Sequence, residues 1–136
     1  MNIVFKEEKQ INQHDLKALY ENVEWYAYTK DLNQLQQALE NSLYVLTAWE
    51  GEQLIGLIRV VGDGLTILYI QDILVLNSHQ NSGIATELVK RVLDKYKDVR
   101  QKVLLTEEAP DVRHFYEKNG FDSCDQGTLV AFVKLS

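Results

Sequence analysis

The sequence predicts a mixed α/β domain: a mostly antiparallel sheet of about six or seven strands, helices on both faces, and one parallel β-α-β crossover. Three observations lead there. Apolar residues recur at helical spacing in some stretches and in short strand-like runs in others. Short glycine-containing turns join the runs in the middle of the chain, which makes them hairpins. A long amphipathic stretch then separates two strand-like runs, and a connection of that length is what parallel neighbours require.

The elements follow in order. Asn2 to Phe5 reads as a short strand. Leu16, Leu19, Tyr20 and Val23 lie at i, i+3, i+4 and i+7, a helical face, and Asn12 is suited to cap it. A second helix starts near Asp31, with Leu32, Leu35, Ala38 and Leu39 on one side. Between them lies an aromatic segment, Trp25-Tyr26-Ala27-Tyr28-Thr29. Leu43 to Trp49, Leu54 to Val61 and Thr66 to Leu76 then read as strands, joined by Glu50-Gly51-Glu52 and Gly62-Asp63-Gly64.

The most regular helix follows. Ile84, Ala85, Leu88, Val89, Val92, Leu93 and Tyr96 form an apolar stripe, and Thr86, Glu87, Lys90, Arg91, Asp94 and Lys95 the opposite face. Val103 to Leu105 reads as the strand parallel to its predecessor. Pro110 suits the first position of a last helix and Gly120 its left-handed end. Phe121 to Ser123 and Thr128 to Leu135 read as closing strands.

A chain of 136 residues that is 46% apolar and 25% charged has the composition of one globular domain, read as 1–136. The net charge of -6 argues against a nucleic acid or an anionic membrane as partner. The single cysteine, Cys124, cannot form an intrachain disulfide, and no apolar run has signal-peptide or membrane-span length. A soluble cytoplasmic protein is expected. His14, His79 and His114 have no metal-ligand spacing with each other or with Cys124, so no metal is expected.

The join between the third long strand and the regular helix carries chemistry. It runs Val75-Leu76-Asn77-Ser78-His79-Gln80-Asn81-Ser82-Gly83-Ile84-Ala85. The first N–H groups of a helix lack internal partners, and the helix dipole favours an anion in front of them. A phosphate fits there, and a glycine lets it approach the backbone. The same stretch also reads as a plain polar loop. Two nucleotide loops are excluded: no Gly-Lys-Ser/Thr occurs, and Gly62-x-Gly64 has Ile67 where a third glycine is needed.

Gln80-x-x-Gly83-x-Ala85 after a strand resembles the coenzyme A signature, Arg/Gln-x-x-Gly-x-Gly/Ala, of the GNAT N-acetyltransferase superfamily. Asp72-Ile73-Leu74-Val75-Leu76 resembles that family's fourth strand. Arg113-His114-Phe115-Tyr116-Glu117-Lys118-Asn119-Gly120-Phe121 resembles its phenylalanine-tyrosine … glycine-phenylalanine signature. The order of elements matches over nearly the whole chain. Two departures stand out. Asn77 replaces a frequent proline, and Ala109 replaces a frequent asparagine seven residues before the tyrosine.

The resemblance implies acetyl-CoA as acyl donor, with its pyrophosphate on Gln80, Asn81, Ser82, Gly83, Ile84, Ala85 and Thr86. It implies that backbone groups at Leu74 and Val75 take the pantetheine and acetyl carbonyl. It implies Tyr116 as the general acid that protonates the leaving sulfur; a phenol with a pKa of about 10 keeps its proton at neutral pH. Beside Phe115, Tyr116 also reads as a core residue. The family's acceptor wall lies between its first two helices, which implicates Trp25, Tyr28 and Thr29. Asp72 reads either as the group that collects the amine or relays its proton through water, or as a strand-end aspartate bonded to backbone. Lys90, Arg91, Lys95, Lys97 and Arg113 read as solvated charges, any one of which can reach the cofactor's ribose phosphate.

The expected reaction is acetyl transfer to a primary amine of a small molecule by direct attack. A protein or peptide acceptor, and a non-catalytic acyl-CoA sensor on the same fold, are the alternatives. Relatives of this kind often form homodimers.

Overall fold

The computed structural model describes residues 2–136 and divides into two compact units, one ending at Leu105 and the other spanning Thr106–Ser136. The first unit holds one five-stranded sheet in sequence order: β1 (Ile3–Glu7), β2 (Tyr44–Glu50), β3 (Gln53–Gly62), β4 (Ile67–Val75) and β5 (Gln101–Leu104). The first three pairings are antiparallel; β4 and β5 are parallel, joined through helix α4 (Ile84–Lys95). Helices α1 (Gln13–Asn22), α2 (Tyr26–Thr29) and α3 (Leu32–Glu40) lie between β1 and β2 in the chain.

Local chemistry fixes the helix starts. The Asn12 side chain accepts from Asp15 N at 2.8 Å, and the Asp31 side chain accepts from Gln34 N at 3.0 Å. The turn between β3 and β4 is held by Asp63. Its Oδ1 accepts from the backbone N–H groups of Leu65, Thr66 and Ile67, while Gly62 and Gly64 take positive φ. A Cβ on Gly62 would meet Ile67 O at 2.5 Å, so the hairpin cannot take another residue there.

In β3 every residue from Leu54 to Val60 is buried. A strand reads that way only when both of its faces are covered. Helix α4 packs across β2, β3 and β4 with Ile84, Leu88, Val89 and Val92 buried, and α1 packs on β3 and β4 through Leu16, Leu19 and Tyr20. The tight approach falls at Gly56, where an added Cβ would lie 3.3 Å from Ile84 Cγ2.

The expected six or seven strands are five. Phe121 to Ser123 and Thr128 to Leu135 form no strands. A β-branched, apolar run measures only the capacity to pair; a strand exists where its N–H and C=O groups meet another backbone. Among the described residues these two runs have no ladder partner, and Leu129, Val130, Phe132, Val133 and Leu135 are exposed. The second unit instead contains α5 (Pro110–Lys118), with Pro110 at its start and Gly120 at φ +91° just beyond its end.

Candidate functional site

Two features of the first unit stand apart from ordinary packing. One is the start of α4. The chain leaves β4, makes a short 3₁₀ turn at Asn77–His79 and enters the helix through Gly83. This loop is pinned at several points. Asn77 N donates to Asn22 Oδ1 at 2.8 Å, and Asn77 Nδ2 donates to Asn22 O at 3.0 Å. Gln80 Nε2 donates to Val75 O at 3.2 Å and to Asn77 Oδ1 at 3.0 Å. Ser82 Oγ donates to His79 O, and the His79 ring bonds Glu50 Oε1 and Ser78 Oγ, each at 2.8 Å.

The helix end itself is left open. Unlike α1 and α3, α4 has no side-chain cap, because the residue at its N-cap is Gly83 in the left-handed region at φ +85°. The C=O of Gly83 accepts from Glu87 N at 3.0 Å, so the helix begins there, while the N–H groups of its first turn face outward without a side-chain acceptor. Apart from Gly83 itself and the adjoining chain, nothing lies within 4 Å of the position a Gly83 Cβ would take. Asn81 also has positive φ, at 61°. The result is a turn whose first helical N–H groups have no side-chain acceptor among the described residues, the chemistry an anion requires. Leu74 and Val75, buried at the end of β4, lie just upstream. The β4–β5 pairing covers only Ile67–Ile70, so from Gln71 to Val75 that side of β4 has no strand partner among the described residues.

The second feature is a polar cluster inside the sheet. Asp72 is 2% exposed and accepts three hydrogen bonds. They come from Arg59 Nε at 2.8 Å, Tyr20 Oη at 3.0 Å and Tyr28 Oη at 2.5 Å. Arg59 also donates to Ser42 Oγ at 3.5 Å. Burial, reinforced by the Asp72 charge, pushes the Tyr20 hydroxyl well above its usual pKa and the Tyr28 hydroxyl upward in the same way. Burial alone would lower the Arg59 guanidinium; the facing Asp72 carboxylate outweighs it and raises it. Both phenols therefore hold their protons and present them to the carboxylate.

A β-bulge makes the cluster. Arg59 faces Asp72 across β3 and β4, but the next residue, Val60, faces Ile70, so Gln71 is the extra residue. In a regular strand Gln71 and Asp72 would point to opposite faces. Here Gln71 Nε2 donates to Tyr28 Oη at 3.0 Å while the same hydroxyl donates to Asp72 Oδ1. The Trp25, Tyr28 and Tyr20 rings pack around this point, with centroids 6.1 Å apart for Trp25–Tyr28 and 5.1 Å for Tyr20–Tyr28. Thr29 is turned away, its Oγ1 donating to Tyr26 O at 3.3 Å.

The expected site residues thus fall into three groups. Gln80 to Thr86 form the open helix start, and Asp72, Tyr28 and Trp25 come together at the bulge. Tyr116 belongs to the second unit. There it packs edge-on against Phe115 at 5.0 Å and Phe121 at 5.9 Å between centroids. Burial pushes its pKa up to about 12, and a hydrogen bond with the Thr106 side chain works the other way.

Of the candidate cations, Arg113 is held by Glu108 and Asp125, with Nη2 2.8 Å from Glu108 Oε1 and 2.7 Å from Asp125 Oδ2. Arg91 pairs with Glu87 at 3.1 Å and lies 4.3 Å over the Phe5 ring. Sequence reading missed Tyr20, Arg59 and Gln71. A signal existed for Arg59: it is the one charge in the apolar run Leu57-Ile58-Arg59-Val60-Val61, and a charge in a buried strand demands an opposite charge beside it. Among the described residues no group of three or more His, Cys, Asp or Glu side chains is arranged to hold a metal, and no helix is long and apolar enough to cross a membrane.

Comparison with known proteins gives the family and agrees with the fold. Residues 7–135 match the family model of an acetyltransferase (GNAT) domain. The GNAT family acetyltransferase SP0256 of Streptococcus pneumoniae is 32% identical, with a TM-score of 0.88 over 99% of this chain and 98% of that one. AAC(6')-Iy, solved with the bisubstrate analogue CoA-S-monomethyl-acetylneamine, covers 100% of both chains at a TM-score of 0.70 and 15% identity, a likeness of fold. A Gibberella zeae protein bearing the name of an acetyltransferase is 30% identical over 79 residues; the match spans 56% of this chain and 41% of that protein's length.

Proposed function

Because the chain belongs to the acetyltransferase (GNAT) domain family, we propose that it transfers the acetyl group of acetyl-CoA to a primary amine of a small molecule by direct attack. The observation that carries the donor half is the uncapped start of α4, with Gly83 at φ +85° and open space where its Cβ would be. The pyrophosphate of acetyl-CoA is a doubly charged anion of the size such a turn accepts, and the N–H groups of Ile84, Ala85 and Thr86 are its donors. The unpaired side of β4 at Leu74 and Val75 offers backbone groups to the pantetheine amides, in the manner of an added strand.

Attack of the amine nitrogen forms an N–C bond, and collapse of the tetrahedral intermediate breaks the C–S bond. Donors that hold the carbonyl oxygen lower that barrier, and the leaving sulfur needs a proton. We assign that proton to Tyr116. The role rests on the signature around it and on a phenol whose raised pKa keeps it protonated throughout the physiological range.

The acceptor half rests on Tyr28 and Trp25, which flank Asp72. Asp72 is committed to three donors, and its protonation would cost one of those bonds. It therefore acts on the amine through Tyr28 rather than by direct proton removal. A lone exposed cysteine, Cys124, fits a reducing cytoplasm.

The test is thiol release from acetyl-CoA over a panel of primary amines and amine-terminal peptides. Turnover with small amines supports this reading, and turnover with peptides alone replaces the acceptor class. Binding of acetyl-CoA with no transfer to any acceptor makes the protein an acyl-CoA sensor.

A further inference from the structure

Resting on the acetyl-transfer reading above, we propose that Tyr28 is the hydrogen-bond acceptor that positions the incoming amine, held in that polarity by the buried Asp72–Arg59 pair. A phenol oxygen has one proton and two lone pairs. The Tyr28 proton goes to Asp72 Oδ1, and one lone pair receives Gln71 Nε2. The second lone pair has no partner among the described residues. Tyr28 is half-buried, whereas Tyr20, bonded to the other oxygen of the same carboxylate, is fully buried. Of the groups on Asp72, Tyr28 is thus the one within reach of a ligand, and what it offers is a single acceptor site. Such a site takes a hydrogen-bond donor, which for an acceptor of the acetyl group is the N–H of its amine.

The charge balance sharpens the chemical class. The charged and titratable groups facing Tyr28 are Asp72 from β4, Arg59 from β3 and Tyr20 from α1. Arg59 lies 6.0 Å from the Tyr28 ring centroid and neutralises Asp72. An unpaired carboxylate would hold the acceptor as an ammonium, which has no lone pair for attack. A compensated carboxylate acting through a phenol binds the N–H of the uncharged amine without fixing the extra proton. The inferred ligand is therefore a primary amine bound in its neutral form, with an apolar or aromatic body against Trp25.

Tyr28 keeps its own proton on Asp72 throughout. The nitrogen forms the N–C bond, collapse of the tetrahedral intermediate breaks the C–S bond, the nitrogen's proton leaves to water, and the sulfur takes the proton assigned to Tyr116. Tyr28 is then a binding residue of the acceptor end; Asp72 and Arg59 are positioning residues.

The experiment is steady-state kinetics at saturating acetyl-CoA with benzylamine, 2-phenylethylamine and p-anisidine, together with calorimetric titration of acetyl-CoA. Tyr28→Phe is expected to raise KM for the amine about tenfold, the value of one hydrogen bond lost in a desolvated site, while the acetyl-CoA Kd stays put. Asp72→Asn offers an amide N–H to the phenol, turns the Tyr28 proton outward and raises KM in the same direction. Arg59→Met, which removes the charge that balances Asp72, is expected to weaken amine binding, and Arg59→Lys, which keeps the charge, to retain most of it.

An unchanged amine KM in Tyr28→Phe overturns the inference, as does a wild type that binds acetyl-CoA yet acetylates none of these amines. Melting curves accompany each variant; if Asp72→Asn does not fold, Tyr28→Phe, which removes one half-buried hydroxyl, decides alone. A wild type that binds no acetyl-CoA fails the acetyl-transfer reading itself, an outcome separable from every result at Tyr28.

Discussion

Arg59 Nε lies 2.8 Å from Asp72 Oδ2, and the two residues are direct cross-strand partners on β3 and β4. Both are buried, with side-chain exposures of 9% and 1%. Two charges taken out of water this far interact strongly, but each also gives up a large hydration energy. The pair is worth little relative to an apolar substitute and much relative to a half-broken pair.

That asymmetry gives a stability prediction. Asp72→Ala leaves the Arg59 guanidinium buried and uncompensated, and should cost about 3–5 kcal/mol of unfolding free energy. Arg59→Met combined with Asp72→Leu should recover the part of the loss that comes from the uncompensated charge, while the buried Tyr20 hydroxyl still loses its acceptor. Urea unfolding of the two variants and the wild type measures this. A double variant as unstable as the single one would mean that the pair itself carries the stability.

Gly83 should show a backbone effect separate from packing. Its φ of +85° disfavours any residue with a Cβ, yet nothing lies near that Cβ. Gly83→Ala should therefore lower stability by roughly 1–2 kcal/mol through strain alone. Thermal unfolding without ligand reads this directly, and an unchanged Tm would refute the left-handed assignment of the turn.

Tyr116 should behave as a proton donor. Tyr116→Phe should lower kcat about 10²- to 10⁴-fold, the usual worth of general acid catalysis, and leave the acetyl-CoA Kd near the wild-type value. The sign of its pH dependence follows from the raised pKa. The folded phenol titrates near 12, above its unfolded value of about 10, so its contribution to stability is complete below pH 10 and is lost between about pH 10 and 12. In a pH–kcat profile, Tyr116 should produce no alkaline fall below pH 10.

Asp63 carries the β3–β4 hairpin in the opposite pH direction. Three backbone N–H groups and the Thr66 hydroxyl hold its carboxylate far below the ordinary range. A lowered pKa means stability present above the unfolded value of about 4 and lost as the pH falls beneath it. Asp63→Ala should lower the Tm at pH 7 and flatten the acid limb of a stability–pH curve. Chemical denaturation between pH 2 and 7 checks both.

Much of the frame was legible in residue types alone. Asn12 and Asp31 announced two helix starts, Gly62-Asp63-Gly64 a hairpin, and the stripe from Ile84 to Val92 the crossover helix. These signals are local, and local chemistry decides them. The closing strands were not legible, because Thr128 to Leu135 has strand-forming residues whose pairing depends on a partner elsewhere. Nor was the polar cluster. Tyr20 looked like one more residue of a helical stripe, and nothing adjacent in sequence marks Gln71 as a bulge. Only the register of β3 against β4 brings Arg59, Gln71, Asp72 and Tyr28 to one point. The helix start at Gly83 could be read from the chain because it lies within one short segment; the polar cluster was named only in part, through Trp25, Tyr28 and Asp72, because its members come from separate segments.

The central claim is that the open start of α4 binds the pyrophosphate of acetyl-CoA. Calorimetric titration of acetyl-CoA into the wild type and into Gly83→Val tests it most directly. Saturable binding to the wild type is expected, with a Kd weakened about tenfold or more in the variant, since a branched side chain fills the approach of the phosphates. Equal affinity in the two proteins, or no binding of acetyl-CoA by the wild type, would contradict it.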